Sequence, residues 1–79
     1  MNPNDVIVFS KDKNIKVISA KENIDSIMIF DLLGRMIYEN KNVNAMHFSL
    51  SEITANQQAL IVKVQLENGA KVDKKIIYN

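Results

Sequence analysis

Ile27-Met28-Ile29-Phe30-Asp31-Leu32-Leu33-Gly34-Arg35-Met36-Ile37-Tyr38 is the stretch on which the fold turns. Up to Phe30 it is apolar on both faces, as a strand in the middle of a sheet would be. Asp31 suits the first position of a type I turn, where its carboxylate accepts hydrogen bonds from the backbone just ahead. Gly34 can take φ > 0 and supply the bulge that returns the chain to pairing. Arg35 to Glu39 then reads as the return strand of a hairpin. Leu32 and Leu33 are out of character at its tip, where polar residues are the default.

The same short rhythm runs outward in both directions. Towards the N-terminus, Val6 to Phe9 and Ile15 to Ser19 read as strands around a Lys11–Asn14 turn, and Ile24 opens the strand that ends at Phe30. Towards the C-terminus, Asn40 to Ala45 is a polar connection. Met46-His47-Phe48-Ser49-Leu50 alternates, with Met46, Phe48 and Leu50 on one face. Ser51 to Gln58 reads as a loop or a single helical turn anchored by Ile53. Leu60, Val62, Val64 and Leu66 form the apolar face of the longest strand. Asn68 and Gly69 mark a second hairpin, and Ala70 to Tyr78 is the last strand. About seven short strands at this spacing predict an all-β fold. The expected form is an antiparallel β-sandwich with an immunoglobulin-like Greek key. Residues 1–5 are expected to be disordered or added for expression, and 6–79 to form the domain.

Composition agrees and narrows the function classes. The chain has 79 residues, and a domain that short buries about 60–65% of its unfolded surface, too little for a deep interior pocket. Eleven Ile and seven Val favour a pleated surface over a helix. Ten basic against nine acidic residues is too balanced for a nucleic-acid or anionic-membrane footprint. There is no Cys, hence no disulfide, thiolate nucleophile or Cys-based zinc site. No apolar run reaches the length of a membrane helix, and no signal-peptide pattern opens the chain.

Little else suggests chemistry. His47 is the single histidine, on the face opposite Met46 and Phe48, with no oriented partner to make it a base. Asp25 and Asp31 share a face but stand roughly 20 Å apart, too far to act as a carboxylate pair. Asp5, Asp12 and Asp31 are the oxygen ligands a weak calcium site would use, but no spacing supports one. With no Trp and two Tyr, the chain lacks the planar aromatic row of a carbohydrate-binding module. Neither an enzyme nor a cofactor is expected.

The hairpin resembles a known family. Ile27 to Tyr38 is similar to the V-x-V-[FY]-D-x-x-G-[RK]-x-[IV] hairpin of C-terminal sorting domains on proteins exported by the type IX secretion system of Bacteroidetes. The ending resembles that family too: Ala59-Leu60-Ile61-Val62-Lys63-Val64, then Glu67-Asn68-Gly69, then Lys74-Lys75-Ile76-Ile77. The likeness spans about Val6 to Asn79 and is closest to the variant called type C, common in Flavobacterium-like bacteria. Type A members open the penultimate strand with Gly-x-Tyr, where this chain has Gln58-Ala59-Leu60-Ile61-Val62.

The resemblance implies a non-catalytic secretion signal joined to a larger cargo protein. The cargo would be carried by outer-membrane translocon and shuttle components to the cell surface or medium. Expected contacts with that machinery are Leu32, Leu33 and Arg35 at the tip and Lys74, Lys75, Ile76 and Ile77 in the last strand. Asp31, Gly34, Asn68 and Gly69 are expected to be structural turn residues. The last strand is also a candidate edge for strand addition or for exchange into a dimer. A generic immunoglobulin- or fibronectin-like spacer or adhesion module is the alternative.

Overall fold

The computed structural model describes residues 5–51, 53 and 58–78. Seven strands follow one another: β1 (Val6–Lys11), β2 (Asn14–Ser19), β3 (Ile24–Asp31), β4 (Met36–Asn40), β5 (His47–Leu50), β6 (Gln58–Leu66) and β7 (Lys71–Tyr78). Each expected strand is present, with ends moved by one or two residues. The expectations for residues 1–4 and for a helical turn within 51–58 fall outside the described residues, save Ser51, Ile53 and Gln58.

The strands form a three-stranded sheet of order β1-β2-β5 and a four-stranded sheet of order β4-β3-β6-β7, all neighbours antiparallel. Pairing β2 with β5 and β3 with β6 forces the chain to change sheets at β2–β3, β4–β5 and β5–β6. That interlocked order is the Greek key of an immunoglobulin-like sandwich. β3 is central, as its two apolar faces require.

Alternation decides what lies between the sheets. Val6, Ile15 and Val17 point inward from the first sheet. Ile27, Ile29, Leu60, Val62, Val64, Leu66, Val72 and Ile76 point inward from the second. The core is almost wholly aliphatic, and an aromatic closes each side of it. On the β4–β5 side, Tyr38 and Phe48 meet with ring centroids 6.0 Å apart. On the β1–β7 side, Tyr78 is buried and its hydroxyl donates to the Lys13 carbonyl at 3.1 Å. This bond ties the end of the last strand to the first hairpin.

The two expected turns are present and differ in geometry. At Asn68-Gly69 it is Gly69 that takes positive φ (φ +92). Leu66 accepts from Gly69 N–H at 2.9 Å, and Leu66 N–H donates to Ala70 at 2.8 Å. The loop is therefore three residues long, a type I turn closed by a glycine bulge. The two-residue turn with both φ positive is instead at Asp12 and Lys13 (φ 53 and 64), neither of them glycine. Register explains it. Lys11 pairs directly with Asn14, which leaves two residues to reverse the chain and requires the type I′ geometry.

Candidate functional site

The β3–β4 tip is built around one carboxylate. Asp31 ends β3 with its side chain only 6% exposed. Its Oδ1 accepts from Leu33 N–H at 3.0 Å and from Arg35 N–H at 2.9 Å, and its Oδ2 from Arg35 Nε at 2.7 Å. The backbone closes the same turn: Gly34 N–H donates to Asp31 O at 3.1 Å, and Asp31 N–H to Arg35 O at 3.0 Å. Gly34 sits at φ +88, the left-handed position of the bulge. The hydrogen bond from the Arg35 backbone holds the Asp31 pKa below the usual carboxylate range. Burial opposes this, and the Arg35 side chain and the Leu33 amide reinforce it. Asp31 and Gly34 thus hold the geometry of the turn.

Everything that Asp31 does not need is turned outward. Leu32 is 59% and Leu33 81% exposed. Arg35 spends Nε on Asp31, and its side chain is otherwise in solvent. Two exposed leucines on a loop pinned by five hydrogen bonds form a fixed apolar protrusion, which a monomer does not need for its own fold.

The last strand does not present Lys74, Lys75, Ile76 and Ile77 as one surface. Alternation splits them. Lys75 and Ile77 face out, with Ile77 56% exposed. Lys74 is half-buried on the inward row, between Val72 and Ile76. Ile76 is a correction: at 8% exposure it belongs to the core, because Leu60, its partner in β6, also points inward. It is not available to a partner while the sandwich is intact.

Antiparallel pairing brings the remaining candidates to one end of one sheet. Phe30 pairs with Ile61, Ile61 with Lys75, and Ala59 with Ile77. Strands in a sheet lie about 4.8 Å apart, so Lys75 stands only about 10 Å across the outer face from Phe30. Phe30, Leu32, Gly34, Ile61 and Lys63 line a depression of ≈ 280 Å³ beside the turn. The Lys63 ammonium lies over the Phe30 ring, 5.5 Å from its centroid. Phe30, Ile61 and Lys63 were not singled out from sequence. Phe30 and Ile61 are marked by lying apolar on the second face of β3 and β6, which a one-sided sandwich strand does not need, whereas Lys63 joins them only through the register of β3 on β6.

The other candidates stay apart. His47 is exposed on the outer face of the three-stranded sheet, across from Ile18. Asp5 lies 3.8 Å from Lys21, Asp12 sits in the β1–β2 turn, and Asp31 is committed to Arg35. Among the described residues no three His, Cys, Asp or Glu side chains are grouped to hold a metal ion. No described helix is long and apolar enough to cross a membrane.

No curated protein matches the chain. A family model does match it, over residues 1–78, and the sandwich with its two glycine-bulge hairpins accordingly belongs to the family described as a domain of unknown function, DUF8694.

Proposed function

We propose that this domain is a non-catalytic address read by another molecule. In this reading it is a C-terminal sorting domain that directs a larger cargo protein through the type IX secretion system to the cell surface or medium. The observation that carries the reading is the rigid tip with Leu32 and Leu33 in solvent. The order of hairpin motif and closing segment along the chain supplies the link to export. The reader, an outer-membrane translocon or shuttle component, contacts Leu32, Leu33 and Arg35, with Lys75 and Ile77 beside them.

The test is a fusion of residues 1–79 to the C-terminus of a periplasm-targeted fluorescent protein in a Flavobacterium-like host. Fluorescence at the surface or in the medium is expected only with an active type IX translocon, and Leu32→Ser with Leu33→Ser reduces it. Retention in the periplasm in both strains refutes the export reading. The three-plus-four strand order favours a second reading, a fibronectin-like spacer or adhesion module. Under that reading the fusion stays in the periplasm, and the leucine pair is dispensable.

A further inference from the structure

The outer face of the four-stranded sheet carries a band that the sandwich does not use. One cross-strand row runs Met36, Phe30, Ile61, Lys75 from β4 to β7. Ile77 and Leu32 extend the apolar area on the turn side, with Met36, Leu32 and Ile77 each about half exposed. A second depression, of ≈ 330 Å³ and lined by Met28, Lys63, Gln65, Lys71 and Asp73, adjoins the first across Lys63.

The charge on this face is one-sided. Its β6 and β7 rows show three lysines, Lys63, Lys71 and Lys75, against one acid, Asp73. Among the described residues none of these four makes an ion pair within 4.0 Å. Glu39 lies at the far edge, 4.0 Å from Lys41. Asp73 stands opposite Lys63 in the ladder, which leaves an excess of two lysines along one side of an apolar floor, and that arrangement is complementary to an apolar segment that carries carboxylates.

We infer that this face docks an acidic, amphipathic peptide segment of a partner protein, its apolar side chains seated on Phe30 and Ile61 and its carboxylates on Lys63 and Lys75. Two other occupants fit less well. A second copy meeting this face about a two-fold axis brings the same lysines against each other. A bilayer is flat, and it leaves the depression beside Phe30 and Leu32 unfilled. The inference rests on the proposal that the domain acts by being recognised, but it does not depend on export.

The experiment is amide NMR titration of the full 79-residue chain. Three probes are used: a short synthetic peptide alternating Leu and Phe with Asp and Glu, the same peptide with Lys for every acid, and phosphatidylglycerol–phosphatidylcholine vesicles. The acidic peptide shifts resonances of Phe30, Leu32, Ile61, Lys63 and Lys75, more weakly at higher salt. Lys63→Glu with Lys75→Glu weakens its binding by roughly tenfold, as two exposed ion pairs allow. Lys16→Glu, on the opposite sheet, changes nothing. Both variants alter exposed side chains, and their unbound spectra report that the fold is kept. Equal binding of the basic peptide, binding to vesicles alone, or shifts confined to β1, β2 and β5 overturns the inference. Absence of binding to all three probes overturns it as well. Periplasmic retention of the fluorescent fusion alongside acidic-peptide binding removes the export reading and leaves this one standing.

Discussion

Replacing Gly34 with alanine isolates a single physical cost. At φ +88 the backbone is in the left-handed region, and a Cβ built there meets no atom of the described residues within 4 Å. The penalty is therefore backbone strain without a clash. An L-residue pays about 1–2 kcal/mol for this conformation. The smaller unfolded-state entropy of alanine offsets about 0.4–1 kcal/mol of it. The expected net loss is about 1 kcal/mol. Total stability for a chain of this length is roughly 4–12 kcal/mol. The shift in Tm is about 4–8 °C per kcal/mol. Gly69, at φ +92 and equally unobstructed, provides an internal repeat at the opposite end of the sandwich. Gly69→Ala is expected to cost the same, and the double variant the sum, because distant sites add. Gly34→Asn, which tolerates left-handed backbone better, recovers part of the loss. Urea unfolding followed by far-UV circular dichroism measures all four variants. An unchanged midpoint for Gly34→Ala, or a loss beyond about 3 kcal/mol, refutes the assignment of the cost to φ alone.

Four further outcomes follow from the same fold. Lys13 has φ 64 with no glycine to relieve it, so Lys13→Gly is expected to stabilise by about 0.5–1 kcal/mol in the same urea assay. The Ser19 hydroxyl is buried and among the described residues has no hydrogen-bond partner, so Ser19→Ala is expected to be neutral or stabilising by about 1 kcal/mol, read as the urea midpoint. Asp31 has a folded pKa below its ordinary value of 3.8, so its contribution to stability is complete above that value and is lost as pH falls through the lowered one. An acid titration of the Leu33 and Arg35 amide resonances shows that transition, and Asp31→Asn abolishes it. Leu33→Ser changes a side chain that is 81% exposed, so stability is expected to stay within about 0.5 kcal/mol, and under the proposed sorting role export of a fused cargo is expected to fall.

Part of the candidate site is legible in the amino-acid sequence. Asp31 and Gly34 demand one local geometry, since a carboxylate facing the amides ahead of it and a residue free to take φ > 0 are what a type I turn with a bulge requires. Their roles follow from residue type within five positions of chain. The exposure of Leu32 and Leu33 follows from the same turn, because both residues fall at its tip. The turn at Asp12 and Lys13 was less legible. Asp tolerates left-handed backbone but Lys does not favour it, and the pairing of β1 with β2 imposes it on both. In the last strand, Lys74-Lys75-Ile76-Ile77 reads as one basic-apolar segment only if the pleat is ignored. Neighbouring residues point to opposite faces, so Ile76 left the surface and Ile77 stayed on it.

The strands, the hairpins and the tip are set locally, because they depend on side-chain period and on backbone preferences within a few residues. Which residues from distant strands share a face depends on how the strands pair. Phe30, Ile61 and Lys75 are far apart in the chain and adjacent on the sheet, since a hydrogen-bonded ladder sets its register by what both strands bury beneath it. The rigid apolar tip was readable from twelve consecutive residues, and the basic, apolar band beside it exists only once β3, β6 and β7 are paired.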